Sequence, residues 1–181
     1  MGEPVPVLRW INSAGGPLIL LSSEYLDAWF GCFHSGSDGL EAADDPLDIR
    51  MDYGRACSVK DYLGMVEVSD GEALVLGDEP LSTAWWPLSS AEGVLIRWVY
   101  GDDHAEIMQY LARVDDMNWT PSGITLRVSK HPLYLFDAAS PGDEADDRLI
   151  LLLDEGQYDV ATGDLRPDPN TNLLLHRLSR R

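Results

Sequence analysis

The chain reads as an α+β fold, predominantly antiparallel β-sheet with about three short helices. Its apolar residues fall in short runs, such as Ala73–Leu76, Val94–Tyr100 and Leu149–Leu153, bounded by Gly, Pro, Asp and Ser. Runs this short and this rich in Val, Ile, Leu and Trp suit strands better than helices. The runs are joined by turn signals of the hairpin kind rather than by the long helical spacers of βαβ units. Strand-like segments outnumber helix-like ones by about three to one. With 181 residues, 45% of them hydrophobic, the chain can bury one core. It is read as a single domain over 1–181, in which 143–181 forms a C-terminal β extension.

Taken in order, Val7–Ile11 and Leu18–Leu21 read as strands. The Gly15-Gly16 pair between them suggests an opening hairpin, with Pro17 tolerated at the start of the second strand. Ser22 or Ser23 can cap a short helix over Glu24–Phe30, with Tyr25, Leu26 and Trp29 on its buried stripe. His34–Leu47 is polar and glycine-containing, which predicts a mobile loop with solvated Asp38, Glu41, Asp44 and Asp45. Ser58-Val59-Lys60-Asp61 resembles a capping box opening a helix that Gly64 ends. Ser69-Asp70-Gly71 should turn Met65–Val68 back on Ala73–Leu76, whose two apolar faces predict a central strand.

Beyond the strand Val94–Tyr100, Asp103-x-x-Glu106 caps the clearest helix, about Ala105–Val114, with Ile107, Met108, Leu111 and Val114 at core spacing. Ile124–Val128 alternates as a half-buried strand does. Leu133–Phe136 and Leu149–Leu153 read as strands flanking the acidic loop Asp143–Asp147. Tyr158–Val160 and Leu165 straddle an expected turn at 161–164, and Leu173–Leu178 closes the chain.

Charge is the unusual bulk property. Thirty-one acids face thirteen Lys plus Arg, for a formal net charge of -18. That opposes phosphate-directed binding to nucleic acid and to anionic membranes, and it favours a basic partner. Solubility alone, or an acidic host proteome, explains the same number. No apolar run approaches the length of a membrane span, and the opening residues lack the apolar core of a secretory signal. With two cysteines, Cys32 and Cys57, a cytoplasmic protein with reduced thiols is expected.

The search for chemistry returns little. No GxGxxG, GK phosphate loop, GxSxG elbow or HExxH is present. Cys32, His34 and Cys57 match no zinc spacing, so no metal and no cofactor is expected. His104, His131 and His176 have no nucleophile that the sequence can assign to them. Asp78 and Glu79 could serve as an acid pair. The preferred reading is that they are solvated turn residues between the strand end at Gly77 and Pro80. Arg97 lies between Leu95 and Val99 on one strand face, so its guanidinium needs a carboxylate; Glu79, Glu72 and Asp78 are candidates, with Arg97–Glu79 the structural ion pair favoured.

Several motifs together resemble a known family. They are Trp10-Ile11-x-Ser13-Ala14-Gly15-Gly16-Pro17-Leu18, Trp29-x-Gly31, Asp52-Tyr53-x-Arg55-Ala56-Cys57 and Tyr62-Leu63-Gly64. Val75-Leu76-Gly77-Asp78-Glu79-Pro80-Leu81 with Thr83 and Trp85, and then Arg97-Trp98, complete the set. Their order and spacing resemble the immunity protein 21 family of bacterial polymorphic toxin systems. The resemblance is strongest over 8–142, with Tyr158 and His176-Arg177-Leu178 also similar. It implies a protein that neutralises the toxin encoded beside it, with no catalytic residues to carry over. An acidic protein can fill a basic toxin cleft where phosphates would lie, and Trp anchors supply affinity. The toxin-interface candidates are therefore Asp78, Glu79, Trp85, Trp86, Asp143, Glu144, Asp146 and Asp147, with the polar loop Gly39–Asp48 as a further segment. Core packing is the competing reading for each tryptophan. Two alternatives stand beside this one: a small hydrolase using Asp78 and Glu79, and an acidic nucleic-acid mimic acting on another basic protein.

Overall fold

Side chains on a strand alternate between faces, and that alternation sorts this chain into layers. The computed structural model describes residues 8–77, 79–101, 104–111 and 114–181, with backbone only for 104–106. In chain order the strands are β1 (Trp10–Ile11), β2 (Leu18–Ser22), β3 (Phe33–Gly36), β4 (Gly39–Ala42), β5 (Leu63–Val68), β6 (Gly71–Leu76), β7 (Thr83–Ser89), β8 (Glu92–Tyr100), β9 (Thr120–Val128), β10 (Leu133–Asp137), β11 (Arg148–Leu151), β12 (Gly156–Asp168) and β13 (Thr171–Arg180). Two α-helices, α1 (Asp52–Cys57) and α2 (His104–Leu111), and two 3₁₀ segments, Ser23–Ala28 and Val114–Asp116, complete the described elements.

The strands form a six-stranded sheet in the order β1-β7-β8-β13-β12-β9 and a five-stranded sheet in the order β11-β10-β2-β6-β5, with β3 and β4 pairing separately. Every pairing is antiparallel, as the sequence predicts. On β6, Leu74 and Leu76 join the core shared by the two sheets, while Ala73 and Val75 pack in the cluster on the other face with Trp29 and Phe136. β6 is therefore buried on both faces between β2 and β5, the central strand expected. On β8, Leu95 faces the other sheet, whereas Val94, Ile96 and Trp98 pack with Ile107, Leu111 and Val114 of the helical segment. Trp29 is fully buried, and its indole N–H donates to the Ala138 carbonyl at 3.0 Å.

Several local expectations are corrected. β1 and β2 do not form a hairpin; β1 pairs with β7, and β2 lies between β10 and β6. The connection from Asn12 to Pro17 crosses between sheets, so that Ile11 and Leu18 enter the same inter-sheet core from opposite sides. Burying both in that core outweighs pairing them edge to edge. The helix placed after Ser58 lies before it: the Ser58 hydroxyl donates back to the Arg55 carbonyl at 2.6 Å, closing the C-terminus of α1. At the other end of α1 the Asp52 carboxylate accepts the Phe30 N–H at 2.6 Å. Gly54 sits inside this helix because a Cβ there would collide with the Asp48 backbone. The polar stretch 34–47 contains the β3–β4 hairpin. The turn expected at 161–164 is continuous strand within β12, bent by a register shift between Asp159 and Ala161. The capping residues proposed for α2, Asp103 and Glu106, lie outside what the structure describes.

Candidate functional site

The edges of the two sheets meet along one side of the sandwich, where β11 runs beside β1 and β7. β1 covers only Thr83 and Ala84 of β7, and a groove of about 400 Å³ opens beyond them. Leu8, Arg9, Trp85, Trp86, Pro87, Leu149 and Ile150 line it. Trp85 and Trp86 follow one another on a strand and so point to opposite faces. Trp85 packs against the inter-sheet core and Trp86 against the cluster under α2, each half-buried with part of its ring at the groove. Each tryptophan therefore packs on a core while part of its ring stays at the surface.

The acidic loop is linked to the groove through one residue, Asp147, which meets Arg9. Asp143, Glu144, Asp146 and Asp147 are exposed, and the loop is tied down by buried Ala145. Asp147 accepts from the Arg9 guanidinium at 3.0 Å, with both side chains more than half exposed. A pair so wet contributes at most about 1 kcal/mol, so it positions the loop more than it stabilises the fold. Behind the loop, β11 buries Leu149 and Leu151 but leaves Ile150 52% exposed, and Leu152 just past the strand is 67% exposed. The sequence predicts a wholly buried strand here. An all-aliphatic run hides which of its faces meets water, and only the acids at either end, Asp147 and Asp154-Glu155, hint at an open edge.

Glu79 sits elsewhere. It is exposed at the rim of a second cavity of about 340 Å³, lined also by Tyr62, Leu81, Asn118, Thr162, Asp164, Arg166 and Asn172. Asp78 lies outside the described residues, and the cavity brings Glu79 together with Asp164 instead. Asp164 pairs with Arg166 at 3.6 Å, and among the described residues the Asn172 amide oxygen has no hydrogen-bond partner.

The Arg97–Glu79 ion pair is corrected. Arg97 is 1% exposed, and its guanidinium donates to the backbone carbonyls of Tyr62 at 3.2 Å, Gly77 at 2.9 Å and Glu79 at 2.7 Å. It takes the carbonyl of Glu79, while the carboxylate of that residue stays at the surface. The planar fork of Arg suits this role, because several N–H groups can reach carbonyls left over where β6 ends. Next to it on β13, His176 is fully buried, with Nδ1 at 3.0 Å from the Thr162 hydroxyl oxygen. Burial, reinforced by the positive charge of Arg97, lowers its pKa to about 3, so the imidazole is neutral at ordinary pH. Near the β3–β4 hairpin, burial pushes the thiols of Cys32 and Cys57 up, which keeps them protonated and weakly reactive.

The family model described as Immunity protein 21 matches residues 9–171. The chain belongs to the immunity protein 21 family. The matched residues cover every described strand from β1 to β12 and reach only the first residue of β13. A comparison with curated proteins and one with solved structures returned no match. Within this immunity protein, the groove holds the Trp85-Trp86 pair, and the acidic loop is linked to it through the Asp147–Arg9 bond. It leaves Glu79 apart from them.

Among the described residues, no helix is long and apolar enough to cross a membrane. Sequence reasoning missed Leu8, Arg9 and Ile150 as surface partners of the tryptophans. Nothing local in the chain places residues 8–9 beside residues 149–150.

Proposed function

We propose that this immunity protein binds a cognate toxin, encoded by the neighbouring gene, and blocks it without catalysis. The toxin would be met at the edge groove and its acidic loop. The carrying observation is the groove that brings Trp85, Trp86 and Ile150 together with Arg9, which in turn holds Asp147 of the acidic loop. Partly buried aromatic anchors ringed by charge are the composition that concentrates binding energy at interfaces. The net charge of -18 would steer a basic toxin surface into contact and make association fall with added salt. We read the whole chain as one cytoplasmic domain that acts by occupying the toxin rather than by altering it.

Co-expression with the product of the neighbouring gene tests this. Growth should be rescued and the two proteins should co-purify. Exchanging Asp143, Glu144, Asp146 and Asp147 for their amides should slow association by roughly ten-fold or more at low salt, with the melting temperature unchanged. Association that is insensitive to those exchanges would sink the interface assignment. The Asp78→Asn, Glu79→Gln double variant should retain protection; loss of protection with the fold intact would favour the hydrolase reading instead.

A further inference from the structure

We infer that the partner docks by strand addition, laying an extended basic segment along the open edge of β11; this rests on the toxin-binding reading above. β11 closes one side of the five-stranded sheet and pairs only with β10. Among the described residues, no strand pairs with its other edge, although β1 and β7 approach it where the two sheets meet. An open edge presents a row of N–H and C=O groups, and folded proteins usually blunt it with Pro, a charge or a bulge. Across the groove β7 is blunted in this way, since Pro87 removes a donor just past the short cover of β1.

β11 carries no such guard. Its single charge, Arg148, is turned onto the Tyr134 ring, 4.6 Å from the centroid. Ile150 and Leu152 remain exposed, offering alternate side chains to an incoming strand while the backbone edge supplies hydrogen bonds. That is the arrangement by which sheet edges bind extended peptides.

Charge selects the occupant. Asp143, Glu144 and Asp146 precede the strand and Glu155 follows it, all exposed and without an ion-pair partner among the described residues. The stretch from Asp146 to Glu155 spans about 30 Å in extended form. A segment with Lys or Arg at both ends and apolar residues between them would satisfy both sets of carboxylates. A second copy of this chain would not. With acids at both ends of the strand, pairing β11 with β11 sets carboxylate against carboxylate in either direction, on molecules that each carry -18.

Hydrogen exchange on the wild-type protein, free and with the purified product of the neighbouring toxin gene, tests this, beside an Ile150→Lys, Leu152→Lys variant. Amides of β11 that exchange freely in the unbound protein should slow by at least ~10-fold in the complex. The variant should melt like wild type and bind at least ~100-fold more weakly. Binding with β11 amides unchanged overturns strand addition and leaves the toxin reading in place. No binding by wild type removes the toxin reading, and this inference with it. A wild-type dimer that the variant abolishes assigns the edge to a second copy and overturns the proposal.

Discussion

Replacing His176 by glutamine tests how the buried polar end of the inter-sheet space is held. In the folded protein His176 has no exposed surface, and burial, with Arg97 beside it, sets its pKa at about 3, against 6.5 for an unperturbed histidine. The folded value is depressed, so between pH 6.5 and 3 the unfolded chain binds a proton that the folded chain refuses. Stability therefore falls as the pH drops through this window, with a limiting slope of about 1.4 kcal/mol per pH unit. From pH 7 to pH 5 the linkage amounts to about 2 kcal/mol, which is about 4–8 °C in melting temperature for a chain of this size. The carboxylates of Asp48, Glu92 and Asp159 are held below their ordinary values, so their linked proton uptake is weighted below pH 5, outside the pH 7 to 5 comparison. Urea melts at pH 7, 6 and 5 would read the effect. His176→Gln should be less stable than wild type at pH 7, because it loses the imidazole's packing and its contact to Thr162, but its loss from pH 7 to 5 should be smaller by about 2 kcal/mol. Equal pH slopes for the two proteins would refute the assignment of a neutral, proton-excluding imidazole.

Two further outcomes follow from the same geometry. Arg97→Met leaves the carbonyls of Tyr62, Gly77 and Glu79 without the guanidinium and should cost about 3 kcal/mol or more; an unchanged urea midpoint would contradict the three-carbonyl anchoring. Arg177 donates to Glu92 at 2.7 Å and to Asp115 at 3.1 Å, and it lies 5.6 Å from the Trp119 ring centroid. The Arg177 hydrogen bond, helped by Ser179 against the opposing effect of burial, holds Glu92 below the usual glutamate range. That contribution is complete above the unfolded value of about 4.5 and is lost as pH falls through the folded one. Arg177→Gln should therefore destabilise by about 1–2 kcal/mol at pH 7 and by clearly less at pH 3; a penalty constant with pH would show packing on Trp119 alone.

The parts of the fold legible in the chain are those in which local chemistry and burial agree. Ser69-Asp70-Gly71 turns β5 onto β6, with Ser69 at a φ of 55°. The alternation of Val94, Ile96 and Trp98 against Leu95 and Arg97 places β8 between two cores. The β3–β4 hairpin was not legible because little of it is buried: its polar residues carry no period for burial to impose. α1 was misplaced because Ser58 closes a helix with the same hydroxyl that could have opened one.

At the candidate site the residue types were readable and their assembly was not. Acids and tryptophans stand out in any linear reading, yet Trp85 and Ile150 share a groove with Arg9, the partner of Asp147, only because the β1–β7 side of one sheet ends up beside β11 of the other. Arg97 had to find acceptors, since a buried guanidinium cannot stay unpaired. That three of them are carbonyls, one belonging to Glu79, depends on where β6 ends over β8. The sequence by itself determined the antiparallel class, the central place of β6, the acidity and the membership of an immunity family, because composition, period and motif order are local or summed properties. Sheet order, the open edge of β11 and the groove beside it were decided by the tertiary structure alone, because they depend on which strands remain unpaired after the core has closed.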